Sequence, residues 1–472
     1  RAMFKATASS TDMNTPSMTM TRATYLPLVP VSPFISLGAP ERWRPHIVCA
    51  SFGHDCQNVI SGGEGRPDLF QMVAREVVAQ RYLGGKGLIA LLAVLSAFVP
   101  LSTDLYLPAL PRMGEYFGVS SALTNLTLVL FFMFFSLGML FWGPLSDKYG
   151  RRRVLLIGLS IYVLASAGCA VSWDIFMLIA FRVLQAVGGS AASAVATAMI
   201  KDVYEGRRRE SVLSIVQSMV VISPAVAPVL GASLLPIMSW RGLFWVLALI
   251  GLISLAGCLL LEETLKTRFK GTVPQAMRRL GAVLRNPGFS SLLLVFSLVS
   301  LASLAFIADS SYIYQDVFGL SAQTYSLYFA LNAMGMLLGP FLYLYLSRYF
   351  TRRSIVVACF GIMALAGLLV AAFGNAGPMF FALALLPATL MGSCVRPAGT
   401  FLMLEQQKED AGAASSLINC FGLVLGSLGM IIVSLAGSDL LLVLGMINVI
   451  VGATCAMAWL AICRANLAVS AQ

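Results

Sequence analysis

Apolar residues in this chain fall in long runs, separated by short polar segments that are often rich in Lys and Arg. Twelve such runs lie between Lys86 and Cys463: 86–108, 122–143, 153–171, 174–198, 209–236 and 240–261, then 288–308, 322–347, 353–373, 377–401, 411–435 and 438–462. A helix needs about 20 residues to cross roughly 30 Å of hydrocarbon, so each run predicts one membrane-spanning helix. Gly and Pro inside several runs are compatible with this. Membrane helices pack closely through small residues, and their surroundings re-satisfy freed backbone groups. The predicted fold class is an all-α polytopic membrane protein.

Residues 1–71 differ from everything after them, being rich in Ser, Thr, Pro and Met. Their most apolar stretch, Thr24 to Gly38, is interrupted by Pro27, Pro30 and Pro33 and is too short to span. No basic segment leads into a signal-peptide core. A disordered or non-native extension is expected here. Met72 makes a sensible start, since Arg75, Arg81 and Lys86 then lead into the first span.

Composition supports the membrane reading. Hydrophobic residues make up 58% of the 472 residues and charged residues 11%, against roughly a quarter charged in soluble chains. The net charge of +11 does not point to nucleic acid, because the basic residues sit in clusters between apolar runs and form no continuous face. One set of loops carries Lys148, Arg151–Arg153, Lys201, Arg207–Arg209, the basic residues from Lys266 to Arg285, Arg348, Arg352, Arg353 and Lys408. The opposite loops carry Arg112 and Arg241. The first set is therefore expected to be cytoplasmic, with both termini inside. The two histidines of the chain, His46 and His54, precede the first span. Proton chemistry in the membrane must then rest on carboxylates. The cysteines show no metal-ligand spacing and read as small buried side chains.

Internal similarity divides the spans six and six. Phe117-Gly-Val-Ser120 recurs as Phe318-Gly-Leu-Ser321, and Arg151-Arg152 recurs at the same separation as Arg352-Arg353. Gly143-Pro144 recurs as Gly339-Pro340. The expected organisation is the extension 1–71, a first half 72–261, a central cytoplasmic loop 262–287, a second half 288–463 and a short tail 464–472. Parallel repeats around a midplane cavity suit alternating access.

Several residues carry candidate chemistry. After the second span comes Gly143-Pro-Leu-Ser-Asp147-Lys-Tyr-Gly150-Arg151-Arg152-Arg153. A positive-inside loop explains the arginines but not the acid between two glycines. Asp147 can accept from an Arg or a helix N-terminus and act as a latch that breaks and reforms. In the fourth span, Arg182 lies about eight residues, or ~12 Å, from the outer end, a long reach for snorkelling. Pro224 and Pro228 share one face of the fifth span and remove two backbone donors, with Gly231 one turn on. Asp104, near the end of the first span in Ser102-Thr-Asp104-Leu-Tyr106-Leu-Pro108, reads either as an interfacial cap or as a protonatable cavity carboxylate. A carboxyl taken out of water holds its proton more readily. Asp309, before Tyr312 and Tyr314, reads as a substrate or proton group or as a solvated loop residue. Arg396, placed about a turn and a half from a span end, is close enough to snorkel.

The segment 143–153 resembles motif A of the major facilitator superfamily at every defining position. The stretch 182–189 resembles motif B, whose Arg is implicated in proton coupling. The stretch 223–232 resembles the antiporter motif C, with Ala232 where a second glycine often stands. Residues 102–111 resemble the span 1 signature of drug:proton antiporters. Lys201-Asp-Val-Tyr204, Pro224-Ala-Val-Ala-Pro228, Ser239-Trp-Arg241, Tyr328-Phe-Ala-Leu-Asn332 and Ala411-Gly-Ala-Ala-Ser-Ser416 follow in the order seen in the Bcr/CflA drug-resistance group, which includes bicyclomycin and chloramphenicol exporters. The resemblance spans roughly 86–463. It implies a major facilitator fold of two six-helix halves and export of small, partly apolar compounds in exchange for protons. Asp104 and Arg182 would couple protons, with Tyr106, Asp309 and Tyr312 along the cavity. Gly143, Asp147, Gly150, Arg151 and Arg152 would form the conformational latch, and Pro224, Pro228 and Gly231 the antiporter motif. The second copy of motif A, Leu346 to Arg353, has no acid.

No phosphate-binding loop is present, since Gly84-Gly-Lys86-Gly87 lacks the spacing and the hydroxyl residue. A transporter driven by the proton gradient, without cofactor or metal, is expected, and no enzyme. Its partners would be a small-molecule substrate, protons and the bilayer, with no nucleic acid. A monomer in the plasma membrane, the inner membrane of a bacterium, is the expected state. The alternatives are a carrier of another metabolite, such as an amino-acid exporter, and, more distantly, a non-transporting membrane receptor or an enzyme embedded in the membrane.

Overall fold

Each predicted span is helical, and the helix ends follow from local chemistry. The computed structural model describes residue 80 and residues 82–265, 273–407, 410–435, 437 and 439–465. The expected extension and Met72 start, the basic residues Arg81, Lys266, Arg268, Lys270 and Lys408, and most of the tail lie outside the described residues. The helices are α1 (Gly84–Ser96), α2 (Phe98–Asp104), α3 (Leu110–Phe117), α4 (Ser121–Tyr149), α5 (Arg151–Val171), α6 (Ile175–Val203), α7 (Gly206–Leu234) and α8 (Trp240–Leu259). After the linker come α9 (Val273–Leu284), α10 (Pro287–Tyr312), α11 (Ala322–Leu346), α12 (Arg352–Phe373), α13 (Pro378–Glu405), α14 (Ala411–Ser434) and α15 (Leu440–Arg464). Among the described residues 11 single helices are long and apolar enough to cross a membrane, and the bent pair 84–96 and 98–117 makes up to 12.

The repeated Phe-Gly-x-Ser segments have a structural cause. Gly118 and Gly319 take left-handed φ of 62° and 66°, a conformation that costs glycine little. Ser120 and Ser321 then cap α4 and α11, accepting from Leu123 N at 3.4 Å and Thr324 N at 3.2 Å. The same turn thus starts the second helix of each half.

Helix pairing repeats as well. α4 packs on α6 as α11 packs on α13, α5 on α8 as α12 on α15, and α5 on α6 as α12 on α13. The halves meet along two seams, α4 with α14 and α7 with α11. Side chains bond between the halves at the end away from the arginine-rich loops. Asn125 donates to Ser434 Oγ at 2.8 Å, Gln315 to Pro108 O at 3.1 Å, Gln323 to Ala232 O at 3.2 Å and Ser326 to Pro228 O at 3.0 Å.

The structure differs from the sequence reading in three respects. The first span bends by 43° and runs on to Phe117 instead of stopping at 108. Pro100, Pro108 and Pro111 lack donors and break the helix without ending it; Gly118 ends it. The spans beginning at 122, 174, 288 and 377 reach Tyr149, Val203, Val317 and Glu405, because helical hydrogen bonding continues through polar residues past the apolar run. The central loop contains α9, which packs on α14 and α4. Its Leu280, Val283 and Leu284, spaced at three and four, are the signal that was available.

In the second half α12 crosses α15 at backbone contact distance. A Cβ at Gly445 would stand 2.8 Å from Gly367 O and from Ala371 N. Gly445→Leu is expected to cost about 1–3 kcal/mol through overpacking and to lower the melting temperature of the purified protein. Gly412→Leu, at a glycine with open space around it, serves as the control. Equal melting temperatures for the two variants would show that the crossing yields.

Candidate functional site

The broken first span brings its polar residues to the bundle interior. α2 ends at Asp104, a 3-10 segment covers Leu107–Ala109, and Asp104 and Tyr106 are 3% and 0% exposed. The Thr103 hydroxyl lies 2.9 Å from Asp104 Oδ1 and 3.0 Å from Val99 O. Among the described residues no cation lies within ion-pair distance of Asp104. The next residue, Leu105, packs backbone to backbone on α7, where any Cβ at Gly231 would overlap the Leu105 carbonyl oxygen. Gly231 therefore sets how closely α7 approaches the break. Pro228 O and Ala232 O, on either side of Gly231, take the bonds from α11 described above. Pro224 lies one turn further back, half-buried.

Arg182 organises the other side of the break. A helix that stops leaves its last carbonyls without partners, and Arg182 donates to Ser102 O at 3.0 Å. It also donates to Tyr106 OH at 3.1 Å and to Gln185 Oε1. Its guanidinium carbon lies 4.3 Å from the centroid of the Phe131 ring and 4.5 Å from that of Tyr106, within the range of cation–π attraction. The network continues outward: Tyr106 OH lies 3.2 Å from Thr127 Oγ1, Gln185 donates to Ser166 Oγ at 2.7 Å, and Ser102 Oγ lies 2.7 Å from Tyr162 OH. Arg182 is fully buried and has no carboxylate partner among the described residues. Asp104 sits between Ser102 and Tyr106, the two residues of this turn that Arg182 binds.

Asp309 is 1% exposed on α10. It accepts from Asn125 Nδ2 of α4, and the same amide bridges to Ser434 of α14. Its second oxygen has no partner among the described residues. It is therefore a buried residue bonded across the two halves, with Tyr312 one turn on and also buried. Of the two readings that the sequence left open for it, a solvated loop residue does not fit this burial. Asn125 was passed over in the sequence; an amide inside an apolar run was the signal that could have found it.

The motif A residues gather at the basic end. Arg151 pairs with Asp147 at 2.6 Å and with Asp202 at 2.8 Å. Gly150 has φ of 102°, and Glu263 caps α5 by accepting from Arg151 N at 2.9 Å and Arg152 N at 3.3 Å. An acid at a helix N-terminus satisfies free donors and the dipole together. Arg152 donates to Leu259 O at 2.7 Å. Gly143 lies within α4 with open space beside it. These partners belong to the first half, except Glu263, which directly follows it. Glu263, on the far side of the sequence reading's sixth span, had no signal linking it to Gly150. In the second half Thr351 takes the capping place, accepting from Ser354 N at 3.4 Å. Among the described residues no cluster of His, Cys, Asp and Glu could hold a metal ion.

Comparison with known proteins agrees with this geometry. The family model described as Major Facilitator Superfamily matches residues 92–430. The chain is 30% identical to the uncharacterized MFS-type transporter YdgK of Bacillus subtilis (strain 168), over 72% of this chain and 86% of that protein. It is 38% identical to a chloramphenicol resistance protein of Pseudomonas aeruginosa, over 34% of this chain and 39% of that protein. It is 29% identical to the multidrug resistance protein MdtL of Klebsiella pneumoniae (strain 342), over 57% and 69%. In fold it is similar to an inward-facing, unoccupied bacterial homolog of the human lysosomal transporter Spinster, with TM-score 0.62 at 15% identity over 82% of this chain and 98% of that one. A D-xylose–proton symporter gives TM-score 0.61 at 14% identity, over 78% and 96%. Eleven single spans and one bent pair among the described residues, in two similarly packed halves, and a family match over most of the chain lead to one conclusion: the protein is an integral membrane transporter that belongs to the Major Facilitator Superfamily.

Proposed function

We propose that the protein exports small, partly apolar compounds in exchange for protons, in the manner of the Bcr/CflA drug-resistance transporters. The observation that carries this reading is Asp104: a buried carboxyl beside a hydroxyl, with no cation paired to it among the described residues, at the break where the first span packs on Gly231 of the antiporter-like segment. The partial matches to proteins named for multidrug and chloramphenicol resistance support the cargo class.

In this reading the basic loops face the cytoplasm and the protein resides in the plasma membrane as a monomer. The bonds of Asn125, Gln315, Gln323 and Ser326 between the halves then close the outer side. In the outward-facing state a proton reaches Asp104. The neutral acid re-enters a dry environment at lower cost than the anion, which favours the turn inward. Substrate binding on the inner side promotes proton release. Coupling requires that proton and substrate each prefer a different state. Arg182 supplies a fixed positive charge and holds the turn that carries Asp104. The motif A cluster would latch and release at the inner end. The proton gradient drives the cycle without a cofactor.

Two outcomes are expected. Chloramphenicol or bicyclomycin added to detergent-solubilised protein should release protons, and Asp104→Asn should abolish the release while leaving the protein folded. Uphill export retained by Asp104→Asn would end the assignment. Asn125→Ala should weaken the outer closure, because it leaves the buried Asp309 and Ser434 oxygens without their donor, at a cost of about 1–3 kcal/mol. A maleimide should then label a Ser311→Cys reporter, buried in the parent, about tenfold faster or more. An unchanged labelling rate would show that this bond does not hold the end closed.

A further inference from the structure

Arg396 of α13 takes no part in the cycle above. Because α13 continues to Glu405, Arg396 stands about 13 Å from the helix end at ~1.5 Å per residue, deeper than the sequence reading placed it. An ionisable side chain at membrane depth must be paired or must face water or ligand. Its neighbours on the helix fix its direction. Leu383 and Phe401 mark the lipid side, 52% and 48% exposed. At ~100° per residue Arg396 is about 140° around from Phe401. Gly392 and Gly399, a turn to either side, back onto Val299 and Phe296 of α10, and Ser393 donates to Met336 O of α11. Arg396 therefore points between α10 and α11, on the inner side of the helix, and it is exposed there, as is Thr400 one turn on.

Neither side chain has a hydrogen-bond or ion-pair partner among the described residues, and Glu405 is on the opposite side of α13. The contrast with the other arginines of the bundle is plain. Arg151 holds two acids, and Arg182 holds three oxygens and lies against aromatic rings. The first half repeats the place: Ser193 and Thr197 stand as far into α6 as Arg396 and Thr400 stand into α13. Ser193 Oγ is buried without a partner.

We propose that Arg396 and Thr400 form a binding site for an anionic group, a carboxylate carried on the apolar body of a transported compound. This rests on the transport reading and narrows its cargo. A planar guanidinium matches a carboxylate through two parallel bonds, and a hydroxyl one turn away adds a third donor. The site lies toward the basic end of the bundle, whereas Asp104 and Arg182 lie toward the other, so cargo charge and proton are handled at different depths.

The test is equilibrium binding to the purified full-length protein in detergent, using radiolabelled 1-naphthaleneacetate and its uncharged counterpart 1-naphthaleneacetamide. The acid should bind at least about tenfold more tightly than the amide. Arg396→Gln should bring the acid down to the amide's affinity and leave the amide unchanged, which also shows that the variant is folded. Arg396→Lys should retain part of the preference. Equal binding of the two probes, no binding of either, or a preference that survives Arg396→Gln would overturn the site. Displacement of the acid by phosphatidylglycerol but not by phosphatidylcholine would overturn the cargo assignment and give the site to a lipid headgroup. The measurement uses no proton gradient, so its result is independent of the proton exchange that Asp104→Asn tests.

Discussion

Hydrocarbon offers no hydrogen bonds, so every backbone N–H and C=O at membrane depth needs a partner within the protein. Continuous helices meet this demand by themselves. The first span does not, because it breaks after Asp104 and leaves the Ser102 carbonyl free. Arg182 fills that vacancy, and the rest of the polar interior follows from it. Holding Arg182 takes Tyr106, Gln185 and two aromatic faces. Tyr106 in turn engages Thr127, and Gln185 engages Ser166. One broken helix thus organises side chains from α4, α5 and α6 around Asp104.

The bundle manages charge in three ways. Arg151 is neutralised by Asp147 and Asp202 at the basic end. Arg182 is held by oxygens and ring faces, with no acid among the described residues, an arrangement that keeps a positive charge near Asp104 without tying it up. Arg396 is left open on an exposed inner face. The acids show a similar spread. Asp147 is paired, Asp309 is bonded to an amide of the other half, and Asp104 has a neighbouring hydroxyl as its one side-chain partner among the described residues. Buried groups with incomplete partners are the ones whose state can change during a transport cycle.

Glycine and proline act differently at the two levels of structure. Gly118 and Gly319 serve their own backbone, supplying the turn that starts the second helix of each half. Gly231, Gly367 and Gly445 serve a neighbour, removing side chains where another helix's backbone passes. The prolines of the first span weaken it where the break occurs, and those of α7 lie beside the glycine that receives it. A kink and its receptor are thus built on different helices.

The sequence by itself determined what depends on solvent and on neighbouring residues. Twelve apolar runs gave the spans, since hydrocarbon thickness sets their length. The Phe-Gly-x-Ser repeat gave the two halves, since a left-handed glycine and a capping serine act within four residues. The motif resemblances led to Asp104, Arg182 and Gly231, all of which the fold gathers around one break. Only the tertiary structure decided what those residues touch. Asn125 meets Asp309 and Ser434 of the other half, Glu263 reaches back to Gly150, and Arg182 finds a carbonyl freed in another helix. Helix ends beyond the apolar runs, the linker helix α9 and the inward direction of Arg396 were likewise decided by packing. The physical reason is that hydropathy records transfer of each residue into lipid, whereas these contacts join residues up to hundreds of positions apart whose partners exist only once the helices have packed.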